Sequence, residues 1–231
     1  MMRLQKFLAH AGLCSRRKAE TYIPDGRITV NSAVVCKLGT HVDPQSDQVC
    51  CDGEPVVLKQ QAPKIYILVN KPKGVVTSCS HQNARIITDL VSIPERIYPV
   101  GRLDKDSIGL VLMTNDGDLH NKLSHPSFDH EKEYIVTTQH PISDDALHQM
   151  ASGMVIDGTR TRKARVRRIS DNRFNMVLQQ GLNRQIRKMV GKTGNQVVSL
   201  QRIRMANIKL GNLEEGRWRF LTPAEIKTLT Q

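Results

Sequence analysis

Four residues, Gly101-Arg102-Leu103-Asp104, stand just before an apolar run, Gly109-Leu-Val-Leu-Met113, in a chain otherwise rich in cations. A carboxylate at the head of a strand, beside an arginine, can act as a nucleophile or assist a leaving group. Metal ligation is the other use of such an acid, and it needs company. Asp106 is the nearest second acid, but the sequence supplies neither a ligand cluster nor another acid or base at a matching spacing. The eight histidines form no H-x-x-x-H or H-E-x-x-H pattern. Cys14, Cys36, Cys50, Cys51 and Cys79 contain no C-x-x-C pair, and vicinal Cys50-Cys51 is a poor clip for a disulfide or a metal. No metal and no cofactor is therefore expected, and the thiols read as reduced and structural.

Further segments could face the same carboxylate. In Asp129-His-Glu-Lys-Glu-Tyr-Ile-Val136, strand periodicity puts Lys132 and Tyr134 on one face. A tyrosine in a basic cleft can stack on a nucleobase, contributing about 1–3 kcal/mol; an ordinary half-buried strand aromatic is the plainer reading. Leu178 to Met189 reads as a strand end, a tight turn at Gly181 and a helix over Asn183–Gly191 with Ile186, Met189 and Val190 as its apolar stripe. Arg184 and Arg187 are neighbours near that helix's start, where cations oppose the dipole, so a carboxylate or phosphate partner is expected.

The charge distribution narrows the partner. The formal net charge is +12, and Arg160 to Lys192 holds eleven Lys/Arg against one acid, Asp171. Such a block needs phosphate or remote acids. Within it, a strand over Arg162–Arg168 would place Lys163, Arg165 and Arg167 on one face. That alternation suits a nucleic-acid backbone and equally suits an edge strand guarded by charge. Aromatic residues are 4% of the chain, too few for a stacking-platform mode of recognition. Met1-Met-Arg-Leu-Gln-Lys has no apolar signal core and no run is long enough to span a bilayer, so a cytoplasmic protein without membrane contact is expected.

Two regions must position these residues. Leu4, Phe7, Leu8 and Ala11 recur at helical spacing, and Ser15 is placed to cap a second helix, Arg16–Ile23. Pro24-Asp25-Gly26 then turns into short strands at Arg27–Asn31, Ala33–Lys37 and Gln48–Cys51. Lys59-Gln-Gln-Ala-Pro63 reads as a connector, giving domains at 1–59 and 65–231 with a linker at 60–64. The second region predicts strands at Ile65–Asn70, Gly109–Met113, Glu133–Thr138, Arg162–Arg168, Phe174–Gln179 and Val197–Arg202. Its predicted helices are Asp118–Ser124, Asp144–Ser152, Asn183–Gly191 and Pro223–Thr230, the last with a Thr222/Glu225 capping box. The layout is α+β, with a mostly antiparallel mixed sheet flanked by helices.

Arg3-Leu-Gln-Lys-Phe-Leu-Ala, Cys14-Ser-Arg-Arg-Lys-Ala-Glu and Gly26-Arg-Ile-Thr-Val-Asn resemble the S4 RNA-binding domain. Asn70-Lys-Pro-Lys-Gly74, Gly101-Arg-Leu-Asp104, Lys132-Glu-Tyr134 and Leu178…Gly181…Arg184-Gln-Ile-Arg187 occur in the order seen in pseudouridine synthases of the RsuA branch. The resemblance implies a small helix–helix–sheet RNA-binding domain before a catalytic domain. It also implies that Asp104 is the catalytic carboxylate, acting at C1′ or C6 or assisting elimination, among which the residues do not choose. Arg187 would pair with Asp104, Tyr134 would stack on the flipped base and help remove the C5 proton, and Arg102 would fill the gap the base leaves. RNA contacts are expected from Arg3, Lys6, Arg16, Arg17, Lys18, Arg27, Lys71, Lys132, Lys163, Arg165, Arg167, Arg184 and Gln185. Leu182 and the sequences around Asp104, Tyr134 and Arg187 resemble a subgroup that modifies 23S rRNA. The implied partner is 23S rRNA, free or in a pre-ribosomal particle, with tRNA as a second substrate, 16S rRNA as the alternative, and a monomeric enzyme. A non-enzymatic S4-type assembly factor would explain the charge but not the acid at Asp104.

Overall fold

The computed structural model describes residues 1–58, 63–124 and 129–230. The chain divides into two compact units, Met1–Pro63 and Lys64–Gln231. Residues 60–62 of the expected linker lie outside the described residues.

In the first unit, helices α1 (Leu4–His10) and α2 (Arg16–Tyr22) pack on short strands β1 (Met2–Arg3), β2 (Ile28–Val30), β3 (Ala33–Val34), β4 (His41–Val42), β5 (Val49–Cys51) and β6 (Glu54–Pro55). Ser15 caps α2 by accepting from Lys18 N at 3.1 Å. The order β3-β2-β5-β6 forms one sheet, and β1 pairs with β4. Left-handed backbone at Asn31-Ser32 and Asp52-Gly53 makes the two-residue turns of the β2–β3 and β5–β6 hairpins. Leu4, Phe7, Leu8, Ala19, Ile23, Ile28, Val42 and Val49 form the core.

The second unit is built on a nine-stranded sheet. Its strands are β7 (Tyr66–Lys71), β8 (Tyr98–Val100), β9 (Ile108–Thr114), β10 (Lys132–Thr138), β13 (Arg165–Ser170), β14 (Arg173–Leu178), β15 (Val197–Met205), β16 (Ile208–Lys209) and β17 (Trp218–Phe220). A small hairpin of β11 (Val155–Ile156) and β12 (Thr159–Arg160) stands apart, closed by a left-handed Asp157-Gly158 turn. The main order is β13-β14-β10-β15-β9-β7-β17, with β8 on β9 and β16 on β15. All pairs are antiparallel except β15–β9, where Gln201 faces Ile108 and Arg202 faces Gly109. Strand alternation sorts two cores. Ile67, Val69, Val111 and Met113 point to the layer containing α4 (Asp144–Ser152) and α5 (Gln185–Lys192). Tyr66, Leu68, Leu110 and Leu112 point to the layer of α3 (Gly117–Ser124) and α6 (Pro223–Thr230). The predicted capping box at α6 is present: Thr222 N donates to Glu225 Oε2, and Glu225 N to Thr222 Oγ1.

Two expectations need correction. The basic strand runs Arg165–Ser170, not Arg162–Arg168. Arg162 N donates to Gln180 Oε1 and Ala164 N to the Ala151 carbonyl, so this stretch is tied elsewhere and leaves Lys163 in a loop. The turn before α5 places its left-handed residue at Arg184 (φ 52°), not at Gly181, and the helix starts at Gln185. Leu182 N donates to Gln185 Oε1, which ties the turn to the first helical residue, while Arg184 at the N-cap position makes no side-chain cap.

At the parallel seam, Gly109 has φ +105°, and a Cβ there would stand 2.3 Å from the Arg202 carbonyl oxygen. Backbone on backbone cannot yield, so the seam requires glycine. Gly109→Ala should destabilise the second unit by at least about 2 kcal/mol, measured by urea unfolding.

Candidate active site

Asp104 lies in the loop that joins β8 to β9, and buried groups fix that loop. Leu103 is buried, and the buried Thr77 hydroxyl donates to its carbonyl at 2.8 Å while accepting from its N–H at 3.2 Å. Gly74 N donates to the Lys105 carbonyl, and Ser107 N to that of Asp104. Lys71, expected to meet RNA, is 0% exposed. Its ammonium donates to the carbonyls of Pro72, Val75 and Lys105 at 2.9, 2.8 and 3.3 Å, so it is a strut between the two loops. Burial lowers its pKa to about 8, against the opposing pull of Asp106 and Asp104.

The facing wall comes from β10, β15 and the α5 entrance. Tyr134 and Lys132 share the cleft side of β10, as their spacing predicted. Burial, then the nearby Arg202 charge, push the Lys132 pKa down. Arg184, in its left-handed conformation, brings Nη1 to 3.7 Å from Asp104 Oδ2. Arg187 Nε stands 4.0 Å from the same oxygen, an electrostatic contact rather than a hydrogen bond. The Arg187 fork itself is held by the Val197 and Asp106 carbonyls and by Ser107 Oγ, at 3.2, 3.2 and 3.3 Å. Burial, and then Arg184 beside it, lower the Arg187 pKa; Asp104 and Asp106 oppose them. The carboxylate expected for these two arginines is Asp104, eighty residues upstream of Arg184.

Together these walls enclose a cleft of about 220 Å³. Arg102 lies exposed on its rim, while Leu178, Ile186, Leu200 and Met205 supply apolar lining. Among the described residues, Asp104 is the only acid lining it, with Arg102, Lys132, Arg184 and Arg202 as lining cations. Gln185 also lines the cleft, but it is buried and its amide serves Leu182 N and Met189 Sδ, so its work is internal. This is a single carboxylate in a cationic, partly apolar slot with room for one nucleobase.

The RNA pseudouridylate synthase family model matches residues 65–192, and the S4 domain model matches residues 2–49. The chain belongs to the RNA pseudouridylate synthase family. It is 40% identical over 225 residues to a dual-specificity RNA pseudouridine synthase, RluF, of Escherichia coli O6:H1, covering 97% of this chain and 77% of that one. It is 38% identical to the ribosomal large subunit pseudouridine synthase B of Bacillus subtilis, over 99% of this chain and 96% of the relative. A crystal structure of a pseudouridylate synthase superposes with a TM-score of 0.73 at 30% identity, covering 99% of this chain and all of the other.

The basic block of this synthase sorts by pairing. Arg162 pairs with Asp129, Arg165 with Glu131, Arg168 with Asp144 and Lys188 with Asp157. These are the remote acids that the sequence left open, and all four lie more than twenty residues upstream of their partners. Arg165, expected to face RNA, is therefore committed to a bridge that continues through Glu131 to Arg204 and on to Glu133. Arg165 and Arg204 respectively hold Glu131 and Glu133 below the usual carboxylate range. Lys163 and Arg167 are exposed and make no ion pair among the described residues, as does Arg160. In the S4 unit, Arg3, Arg16, Arg17 and Lys18 are exposed and Lys6 is half-buried. Arg27 is instead bidentate on Asp52, and its guanidinium lies 4.0 Å from the Tyr22 ring centroid. It braces the small sheet.

Sequence reasoning passed over Thr77, Ser107 and Arg202. Thr77 and Ser107 carry no pattern of their own. Arg202 and Arg204 share strand parity, so alternation puts them on one face. In the structure Tyr134 faces Arg202 while Glu133 faces Arg204, because a bulge at Ile203 turns them to opposite faces. Thr77→Val should cost about 1–2 kcal/mol, since it leaves two buried Leu103 groups unpaired. By loosening the Asp104 loop it should also slow pseudouridine formation about tenfold or more. Thr77→Ser should restore most of both, as read by urea unfolding and turnover.

Proposed function

We propose that this synthase isomerises a stem-loop uridine of 23S rRNA near the peptidyl-transferase region, with the tyrosine tRNA anticodon as a second substrate and Asp104 as its catalytic carboxylate. The observation that carries the role of Asp104 is its isolation: among the described residues it is the one acid lining a cleft that also holds four cations, the rest of the lining being neutral. The substrate assignment is supported by the names of the relatives, one a dual-specificity RNA enzyme and the other a large-subunit enzyme. The enzyme works as a cytoplasmic monomer on free or pre-ribosomal RNA.

Isomerisation breaks the C1′–N1 bond, turns the uracil, and joins C1′ to C5; the proton leaves C5 and N1 gains one. Nothing is oxidised or reduced. Asp104 acts at the sugar or the base as the first bond breaks. Arg184 and Arg187 keep its carboxylate oriented from the α5 entrance. The flipped base stacks on Tyr134, which offsets part of the few kcal/mol that unstacking costs. Tyr134 also assists loss of the C5 proton. Arg102, exposed on the rim, fills the gap in the stem, and the unpaired cations Lys163 and Arg167, with Arg16, Arg17 and Lys18 of the S4 unit, meet phosphates.

Asp104→Asn should abolish pseudouridine formation while leaving RNA binding within a few-fold, and substantial turnover by the purified variant would remove Asp104 from this role. Arg187→Lys should slow turnover strongly, because one ammonium does not reproduce the fork whose Nη1 reaches β15 and whose Nη2 reaches the Asp104 loop. Mapping pseudouridines in a deletion strain tests the substrate. Loss of a 23S site is expected, and persistence of every 23S site would overturn the assignment.

A further inference from the structure

Among the described residues, Arg202 is the largest fully buried side chain, at 1% exposure, and it lines the cleft. Its Nε donates to the Leu110 carbonyl at 2.7 Å, which fixes the plane of the guanidinium. Its Nη2 is buried and has no hydrogen-bond partner, and no carboxylate pairs with Arg202 among the described residues. The other partly shielded arginines have carboxylates near them. Arg204 has Glu131 and Glu133, and Arg219 has Glu225. Arg187 also keeps a buried Nε without a hydrogen bond, but that Nε stands 4.0 Å from Asp104 and the two Nη atoms have three acceptors. An unmet buried donor costs about 1–3 kcal/mol, and more when charged. The cleft's one carboxylate is already flanked by Arg184 and Arg187, so it leaves this charge unanswered.

Resting on the reading of the cleft as the uridine site, we propose that Arg202 is a substrate-binding residue. Its free guanidinium edge donates to a carbonyl oxygen of the flipped uracil and stabilises the anion formed when C1′–N1 breaks. The location selects the base over a phosphate. Arg202 lies on β15 opposite Tyr134 and shares the cleft lining with Leu178, Leu200 and Met205, whereas the exposed Arg102 and Arg184 stand where phosphates can reach. Chemistry gives the contact its timing. As the C1′–N1 bond breaks, its electron pair stays on uracil and spreads to O2 and O4. A fixed donor at one of these oxygens strengthens at that step and weakens again once C5 bonds to C1′ and loses its proton. The seam at Gly109 serves the same end, because it sets the backbone of Arg202 against β9.

The test uses the full-length protein and a synthetic stem-loop carrying the uridine mapped in the deletion strain. With wild-type enzyme, replacing that uridine by 2-thiouridine or by 4-thiouridine should slow turnover at least about tenfold in one of the two cases, since sulfur is a poor acceptor. Arg202→Met should lower kcat about a hundredfold, with RNA affinity within about fivefold and a melting temperature close to wild type. In that variant the thio penalty should vanish, and Arg202→Lys should recover part of kcat. Full wild-type rates on both thio substrates would overturn the proposal without needing any variant. So would an unchanged thio penalty in Arg202→Met, or an activity loss that merely follows a fall in melting temperature. Asp104→Asn, assayed alongside, separates the two readings: if it stays active the uridine-site reading fails, and if it is dead while Arg202→Met is unimpaired only the Arg202 role fails.

Discussion

The catalytic unit depends on one short parallel contact. Two antiparallel half-sheets, β13-β14-β10-β15 and β9-β7-β17, meet only where Gln201 and Arg202 pair with Ile108 and Gly109. Parallel pairing is slightly weaker per residue than antiparallel pairing, and here it spans two positions. The cleft opens over that join. Asp104 arrives from the β9 half, Tyr134, Lys132 and Arg202 from the β15 half, and α5 bridges them with Arg184 and Arg187. Any slip between the halves would separate the carboxylate from the wall it works against. Close backbone approach at Gly109 and the Nε bond from Arg202 to Leu110 pin the join from both strands.

Electrostatics divides the cations into two populations with different work. One is paired with carboxylates, as in the run Arg165–Glu131–Arg204–Glu133 across the sheet, whose Arg204 is shielded while Arg165 stays exposed. The other stays unanswered, in the cleft at Arg202 and on the surface at Lys163 and Arg167. Counting charge therefore overstates what RNA can use. Screening makes a further distinction, because exposed cations and exposed pairs respond to salt while the shielded bridges of Arg204 respond less.

Much of this was legible from sequence. Two domains, an α+β layout, α4 and α6 to the residue, and Lys132 beside Tyr134 on one face all follow from periodicity and capping. Arg184 and Arg187 announced an acidic partner because cations sit badly at a helix start, and the partner is Asp104. What stayed hidden depended on long-range geometry. Lys71 reads as a surface cation until three carbonyls from loops folded around it take up its ammonium. Arg165 and Arg27 read as free until Glu131 and Asp52 are brought to them. The bulge at Ile203 reverses the face of Arg202, and no local pattern marks a bulge. The Asp157-Gly158 turn carried a hairpin signal that went unread, since its flanking strands are only two residues each.

The parallel seam also sets when the site can exist during synthesis. Gly109 and Arg202 are separated by 93 positions (202 minus 109), so β9 leaves the ribosome long before the strand it must join. At translation rates of roughly 5–20 residues per second, the interval is about 5–20 s. Through it the S4 unit has all of its strands, and β7, β8 and β9 can already form their antiparallel sheet, yet the floor of the cleft has not been made. A nascent chain can therefore complete its N-terminal unit well before the cleft is closed. Order of synthesis separates the two units in time, and a chain interrupted before β15 lacks Leu200, Arg202 and Met205 of the cleft wall.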